Sequence, residues 1–114
     1  MSRRFAFDWR QVLARLPTAD GKRFTVAFEH GSLALELYAP RDHDPQQPHA
    51  RDELYVVVAG RGTFVCDGER TPFETGDALF APAGAVHRFE GFSDDLAVWV
   101  MFYGAEGGEA PSGD

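Results

Sequence analysis

The distribution of apolar residues near the start of the chain predicts one short helix. Four apolar residues recur there at helical spacing: Trp9, Val12, Leu13 and Leu16. Asp8 is placed to cap the amino end of this helix, and Pro17 is placed to stop it. The sequence therefore predicts a helix over residues 8–16.

From residue 24 onward the apolar residues fall into short runs that are rich in β-branched and aromatic side chains. These runs cover residues 24–30, 32–38, 53–59, 63–66, 71–74, 78–81, 86–89 and 96–103. Gly, Pro and Asp separate them, and Asp67-Gly68 is the strongest hairpin signal in the chain. About eight short strands behind one helix predict an all-β domain, an antiparallel sandwich or barrel, because βαβ units would need alternating helices.

Length and composition limit the number of domains and the kinds of partner. A chain of 114 residues with 44% hydrophobic residues has the size and balance of one globular domain. Its formal net charge of −7 would repel phosphate backbones and anionic lipid, so we expect no nucleic-acid and no membrane partner. The single cysteine, Cys66, excludes an internal disulfide framework and is typical of a reducing compartment. We therefore expect a cytoplasmic protein.

Three segments are predicted along the chain. Residues 1–20 form an N-terminal helical segment, residues 21–103 form the strand-rich domain, and residues 104–114 form a flexible acidic tail. Residues 40–48 are a long polar connection with three prolines. A loop of this kind in a small domain is often functional.

Two histidines, His49 and His87, lie in surroundings that indicate chemistry. Gln47 and His49 are two residues apart, so an extended backbone places both on one side. Glu53 begins an otherwise apolar strand, where a buried carboxylate needs a cation or a strong donor, whereas its neighbour Asp52 is expected to face solvent. Two imidazoles and one carboxylate can hold a divalent transition metal and leave positions open. The alternative is that His49 and Glu53 form only a hydrogen-bonded pair.

Aromatic residues follow both candidate ligands at a spacing of two. Tyr55 shares a strand face with Glu53, and Phe89 shares one with His87. We assign both to a substrate pocket, Tyr55 as a hydroxyl donor and Phe89 as an apolar wall, with simple core packing of Tyr55 as the alternative. Three residues of the last strand alternate on one face and are expected in the core or in a dimer contact: Trp99, Met101 and Tyr103.

Residues 47–60 and 76–91 resemble the two sequence motifs of the cupin superfamily, a group of small β-barrels. The first motif reads Gly, five residues, His-x-His, three or four residues, Glu, six residues, Gly. Its second histidine, its glutamate and its last glycine correspond to His49, Glu53 and Gly60. The second motif reads Gly, five residues, Pro-x-Gly, two residues, His, three residues, Asn, and four of its positions match: Gly76, Pro82, Gly84 and His87. The resemblance covers about residues 33–103.

Three positions depart from these motifs. Gln47 stands in the place of the first histidine, Arg41 in that of the first glycine, and Gly91 in that of the final asparagine. The Gln47 amide oxygen is a weaker ligand than an imidazole. It can bind a metal directly, hold a metal-bound water, or face the pocket as a donor to substrate.

The resemblance implies a jelly-roll barrel that holds a divalent transition metal (Fe, Mn, Ni or Zn) at Gln47, His49, Glu53 and His87. It implies a small organic molecule as the ligand, with dioxygenase, isomerase or lyase chemistry all open. The alternative is a non-catalytic module or sensor that binds a sugar or a small acid. The resemblance also implies a homodimer, and pairing two copies would cover edge strands of the barrel.

Overall fold

The computed structural model describes residues 4–110 and contains one short helix followed by eight strands. Helix α1 covers Trp9–Leu13. The strands are β1 Phe24–His30, β2 Leu33–Tyr38, β3 Asp52–Ala59, β4 Arg61–Cys66, β5 Glu69–Glu74, β6 Ala78–Ala81, β7 His87–Glu90 and β8 Ala97–Tyr103. The predicted fold class, all-β with a short N-terminal helix, is confirmed.

Helix α1 begins where the sequence predicts and ends earlier. The Asp8 side chain accepts a hydrogen bond from the Arg10 amide at 2.9 Å, so this residue is the N-cap. The amides of Arg15 and Leu16 donate to carbonyls three residues earlier, so the last turn is tighter than an α-helix. Pro17 restricts the backbone of Leu16, which is why the α-helix does not extend to residue 16. No helix within residues 4–110 has the length and hydropathy that a membrane span requires.

The strands form two antiparallel sheets that enclose the core. One sheet has five strands in the order β1-β2-β8-β3-β6, and the other has three in the order β5-β4-β7. Successive side chains of a strand face opposite sides, and on β8 Val98 and Val100 are buried whereas Trp99 is only partly buried. The core between the sheets is mostly aromatic and includes Tyr38, Tyr55, Phe64, Phe73, Phe89 and Phe102. The outer face of β8 carries Trp99, Met101 and Tyr103. Of the two expectations for them, the core position does not hold, and a dimer contact stays a prediction.

The first part of the predicted tail contacts the barrel. The Gly107 amide donates to the Ala50 carbonyl at 2.6 Å, which holds residues 104–110 beside the loop before β3. Residues 111–114 of the predicted tail, and residues 1–3 of the helical segment, lie outside the described residues. The flexibility of the tail in solution stays a prediction.

The expectation that Asp52 faces solvent is wrong. This residue is 5% exposed, and its side-chain oxygens accept hydrogen bonds from the amides of Ala83 and Glu109, each at 2.9 Å. The Glu109 amide, and then the Ala83 amide, stabilise the ionised carboxylate and lower the pKa of Asp52. Asp52 therefore joins β3 to two segments that are distant in the sequence.

Candidate metal centre

Three of the predicted ligands meet at one end of the space between the sheets. Glu53 lies near the start of β3, His87 begins β7 in the opposite sheet, and His49 lies in the loop before β3. One ligand atom from each of them lies within 4.8 Å of the others. His87 Nε2 is 3.0 Å from Glu53 Oε2, and His49 Nε2 is 3.8 Å from Glu53 Oε1. The fold thus brings together the facial set of two imidazoles and one carboxylate.

The centre is closed on one side and open on the other. The side chains of Glu53 and His87 are each 1% exposed, whereas that of His49 is 40% exposed. A metal held there would be reached from the side of His49.

The ring of His87 is oriented in the way that suits a metal ligand. Its Nδ1 lies 2.8 Å from the Ala85 carbonyl, which is an acceptor, so Nδ1 is assigned the hydrogen and Nε2 faces Glu53. Nε2 is buried and has no partner with hydrogen-bond geometry among the described residues, although Glu53 Oε2 is only 3.0 Å away. Buried nitrogens are normally satisfied, and metal-bound histidines commonly donate their other N–H to a carbonyl. The residues present therefore fit a metal ion.

The protonation of His87 is coupled to Glu53. Burial lowers the pKa of His87, but the Glu53 carboxylate and the hydrogen bond to the Ala85 carbonyl outweigh it, so the pKa is raised. When no metal is bound, His87 therefore keeps a proton to a higher pH than an isolated imidazole would. A metal at Nε2 must displace that proton, since only deprotonated imidazole is a ligand.

Two adjacent glutamines lie in the loop before β3, and they take different positions. Gln47 is exposed and lines the cavity beside His49. Gln46 is half-buried, and its Oε1 accepts a hydrogen bond from the Tyr55 hydroxyl at 2.9 Å. Because this segment belongs to a loop, the strand alternation assumed for Gln47 does not apply to it. Its role as a ligand stays a prediction.

The two residues assigned to a substrate pocket lie in the aromatic core. Tyr55 is 0% exposed and Phe89 is 2% exposed, and their ring centroids are 5.2 Å apart. Both face inward as the alternation predicts, but the opposite sheet covers them, so other residues line the cavity. Tyr55 still reaches the centre through its hydroxyl, which is 3.1 Å from Glu53 Oε1.

A cavity of about 490 Å³ opens beside His49 and Glu53. This volume lies within the range of small-molecule sites. Part of its wall is apolar, from Phe24, Val100 and Phe102, and part is polar, from Glu36, Gln47 and Arg51. The volume and the mixed lining are typical of a site for a small molecule.

Sequence reasoning missed Glu36 in this cavity. Its signal was available, because Glu36 interrupts the apolar positions of β2 and lies on the same face as the buried Ala34 and Tyr38. Burial, and then the negative charges of Glu53 and Glu29, raise the pKa of Glu36. It is an ionisable group in a partly apolar cavity, next to the candidate metal ligands.

Replacing Glu36 by glutamine is expected to raise the melting temperature at pH 7. A neutral amide costs less to bury than a carboxylate whose pKa is raised by burial. The gain should vanish at a second pH well below the ordinary glutamate pKa of 4.5, where the carboxyl group is protonated in both the folded and the unfolded state. Thermal melts of wild type and Glu36→Gln at both pH values test this, and an equal shift at both would contradict it.

The strand-rich part of the chain matches a known protein family. The sequence model of the cupin domain matches residues 34–103, which include Glu53 and His87. The chain belongs to the cupin family. This cupin is 44% identical over 99 residues to an uncharacterized protein of Streptomyces coelicolor, across 85% of this chain and 93% of that protein. The resemblance read from the two motifs is therefore confirmed.

Two relatives of this cupin have a named activity. It is 28% identical over 69 residues to a gentisate 1,2-dioxygenase of Ralstonia sp., across 60% of this chain and 19% of that enzyme. A solved structure of a DMSP lyase matches with a TM-score of 0.59 and 29% identity, across 68% of this chain and 41% of that chain. Both matched proteins are longer than this cupin.

Proposed function

We propose that this cupin binds a divalent transition metal at His49, Glu53 and His87 and acts on a small organic molecule in the adjoining cavity. The observation that carries the proposal is His87 Nε2, a buried nitrogen without a well-formed hydrogen bond that faces a buried carboxylate. Two imidazoles and one carboxylate suit Fe, Mn, Ni or Zn and leave coordination positions open. Gln47 is proposed as a further ligand or as a donor to substrate.

A metal bound here would act as a Lewis acid on a substrate oxygen. The chain itself supplies the surroundings of the reaction. Phe24 and Phe102 contribute apolar wall that packs against the organic part of a substrate and excludes water. Arg51 offers a cation at the same cavity, and its guanidinium carbon lies 5.9 Å from the centre of the Phe102 ring. These groups would bind and orient a small molecule that carries both apolar and polar parts.

The class of reaction is proposed as metal-dependent dioxygenase, isomerase or lyase chemistry. The similarity to a dioxygenase and to a lyase supports metal-dependent activity in general, and it favours neither reaction, because one family supports several chemistries on the same fold.

The proposal is tested by metal analysis of freshly purified protein, with and without dialysis against a chelator. We expect close to one metal ion per chain, lost on dialysis and restored by adding Fe(II), Mn(II), Ni(II) or Zn(II).

A thermal-shift screen of small acids and sugars then identifies ligands, since a ligand at ~100 times its Kd adds about 2.7 kcal/mol of stability. Oxygen uptake with a ligand would identify a dioxygenase, and anaerobic turnover a lyase or isomerase. Freshly purified protein that contains no metal and still binds a ligand would contradict the proposal and favour a non-catalytic binding module.

A homodimer is proposed through the outer face of the five-stranded sheet. Strand registers place four apolar side chains in one row across that face: Leu35, Met101, Leu54 and Phe80. Leu54 is 36% exposed and Phe80 is 46% exposed, although both belong to strands that are well covered on the inner face. A contiguous apolar row of this kind is typical of a protein interface.

The cytoplasmic location and the absence of nucleic-acid partners stay predictions.

We expect light scattering at micromolar concentration to give twice the mass of the 12.6 kDa chain. Phe80→Glu should give a monomer, because it places a charge on the most exposed residue of the apolar row, at its β6 end. Val86→Glu is the control, since Val86 is 58% exposed and precedes β7 in the other sheet. A monomeric wild type would contradict the proposal.

A further inference from the structure

Asp44, in the loop before β3, accepts four hydrogen bonds. Its Oδ1 accepts from the Tyr38 hydroxyl and, at 3.1 Å, from the Gln46 backbone amide. Its Oδ2 accepts from the Phe89 amide and from Gln46 Nε2, each at 2.7 Å. Asp44 therefore joins the loop to β2 in one sheet and to β7 in the other.

The bond to Asp44 decides how the Gln46 amide is turned. Because Nε2 donates to the Asp44 carboxylate, Oε1 points the other way and accepts from the Tyr55 hydroxyl at 2.9 Å. The same hydroxyl lies 3.1 Å from Glu53 Oε1, so its one hydrogen is shared between Gln46 Oε1 and Glu53 Oε1. A continuous series of polar contacts thus links Asp44, Gln46, Tyr55 and Glu53, and we call it the Asp44 network.

The Asp44 network ends on the Glu53 carboxylate, which is proposed to bind the metal. Glu53 has two oxygens with different neighbours: Oε1 faces Tyr55, and Oε2 faces His87 Nε2. A contact to Oε1 limits rotation of the carboxylate plane, so Oε2 keeps its direction toward His87. Partners of this kind, which touch a ligand and not the metal, tune metal affinity in many proteins.

We propose that Asp44, Gln46 and Tyr55 are positioning residues of the metal centre, which act by fixing the orientation of Glu53. The proposal rests on the proposed metal site and goes beyond it, because none of the three residues is a candidate ligand in it. In this proposal the polar loop of residues 40–48 helps to orient a metal ligand. Through Asp44, the loop holds Gln46, and through Gln46 it holds the hydroxyl beside Glu53.

The decisive variant is Tyr55→Phe, which removes one hydroxyl and keeps the ring that packs on Phe64 and Phe89. Titration with Co(II), followed by its visible absorption, measures both the affinity and the geometry of the centre. We expect Tyr55→Phe to bind Co(II) about 10–100-fold more weakly than wild type, with a changed absorption spectrum. A residue that only supports the fold would lower the melting temperature of the metal-free protein without changing the spectrum.

Two further variants complete the test. Tyr103→Phe removes a hydroxyl from the outer face of β8 and is expected to leave Co(II) binding unchanged. Gln46→Leu, at a half-buried loop position, leaves the Tyr55 hydroxyl hydrogen to Glu53 alone, so it should change the Co(II) affinity and spectrum, and it serves if Tyr55→Phe fails to fold.

The outcomes separate this inference from the metal site itself. Wild-type affinity and spectrum in Tyr55→Phe, or in Gln46→Leu where that variant stands in, would overturn the positioning role and leave the metal site in place. A wild-type protein that binds no Co(II) at all would overturn both.

Discussion

His87→Ala is expected to abolish stoichiometric metal binding, with a loss of affinity of at least ~100-fold at pH 7.5. Loss of a partner that only touches a ligand costs about 10–100-fold, and His87 is itself a ligand in the proposed site. It is also the only candidate ligand in the three-stranded sheet, so its loss leaves Glu53 and the half-exposed His49 on one side of the metal. Equilibrium dialysis with Zn(II) or Co(II) measures the change.

The controls for this variant use the other histidines. His49→Ala should also weaken binding strongly, and it removes a side chain that is 40% exposed, so the fold should tolerate it. His43→Ala, at an exposed position in the loop, should bind metal as the wild type does. Full metal content in His87→Ala would show that the site has been placed wrongly.

The same measurement has a predicted pH dependence. Metal affinity should fall as the pH decreases, because protons compete with the metal for both imidazoles. The raised pKa of His87 means that this loss begins at a higher pH than the ordinary histidine value of ~6.5 would give. In His49→Ala the metal affinity that remains should still begin to fall above pH ~6.5, because His87 is retained.

Gly60→Ala is expected to destabilise the fold by about 3 kcal/mol or more, which lowers the melting temperature by on the order of 10–20 °C. Gly60 has φ +99°, a conformation that side chains other than glycine rarely adopt. A Cβ there would also lie 2.8 Å from the Leu96 Cα, which belongs to the backbone before β8 and cannot easily move. Thermal and urea unfolding measure the loss.

Gly76→Ala is the matched control for this substitution. Gly76 has nearly the same backbone angle, φ +98°, but no atom lies within 4 Å of an added Cβ. It should show the cost of backbone strain alone, so the difference between the two variants measures the clash with Leu96. Equal losses in the two variants would contradict the packing argument.

The amino-acid sequence by itself determined the strands and the faces that they present. Period-two alternation placed Glu53, Tyr55 and Phe89 on inner faces, and the structure has each of them buried. The spacings around Gly60 and Gly76 identified the family before any fold was known. These features are local, because they depend on neighbouring residues and on the turns between strands.

The loop before β3 was beyond this kind of reasoning. The spacing of two from His49 and the position in the first motif predict Gln47 as the amide at the centre, whereas the amide that contacts Tyr55 belongs to Gln46. An irregular loop has no period from which the direction of a side chain follows. Here the direction is set by Asp44, which is held by the amide of Phe89, 45 residues later in the chain.

Contacts between distant segments decided the rest. Asp52 looked like a surface residue, and it is buried because the amides of Ala83 and Glu109 reach its carboxylate. Tyr55 lies in the core and not on the cavity wall because the opposite sheet closes over its ring, while Glu36 is left facing the cavity. The sequence thus determined which side chains point inward. Only the packing of the two sheets and the path of the loops decided which of them meet, because that depends on residues far apart in the chain.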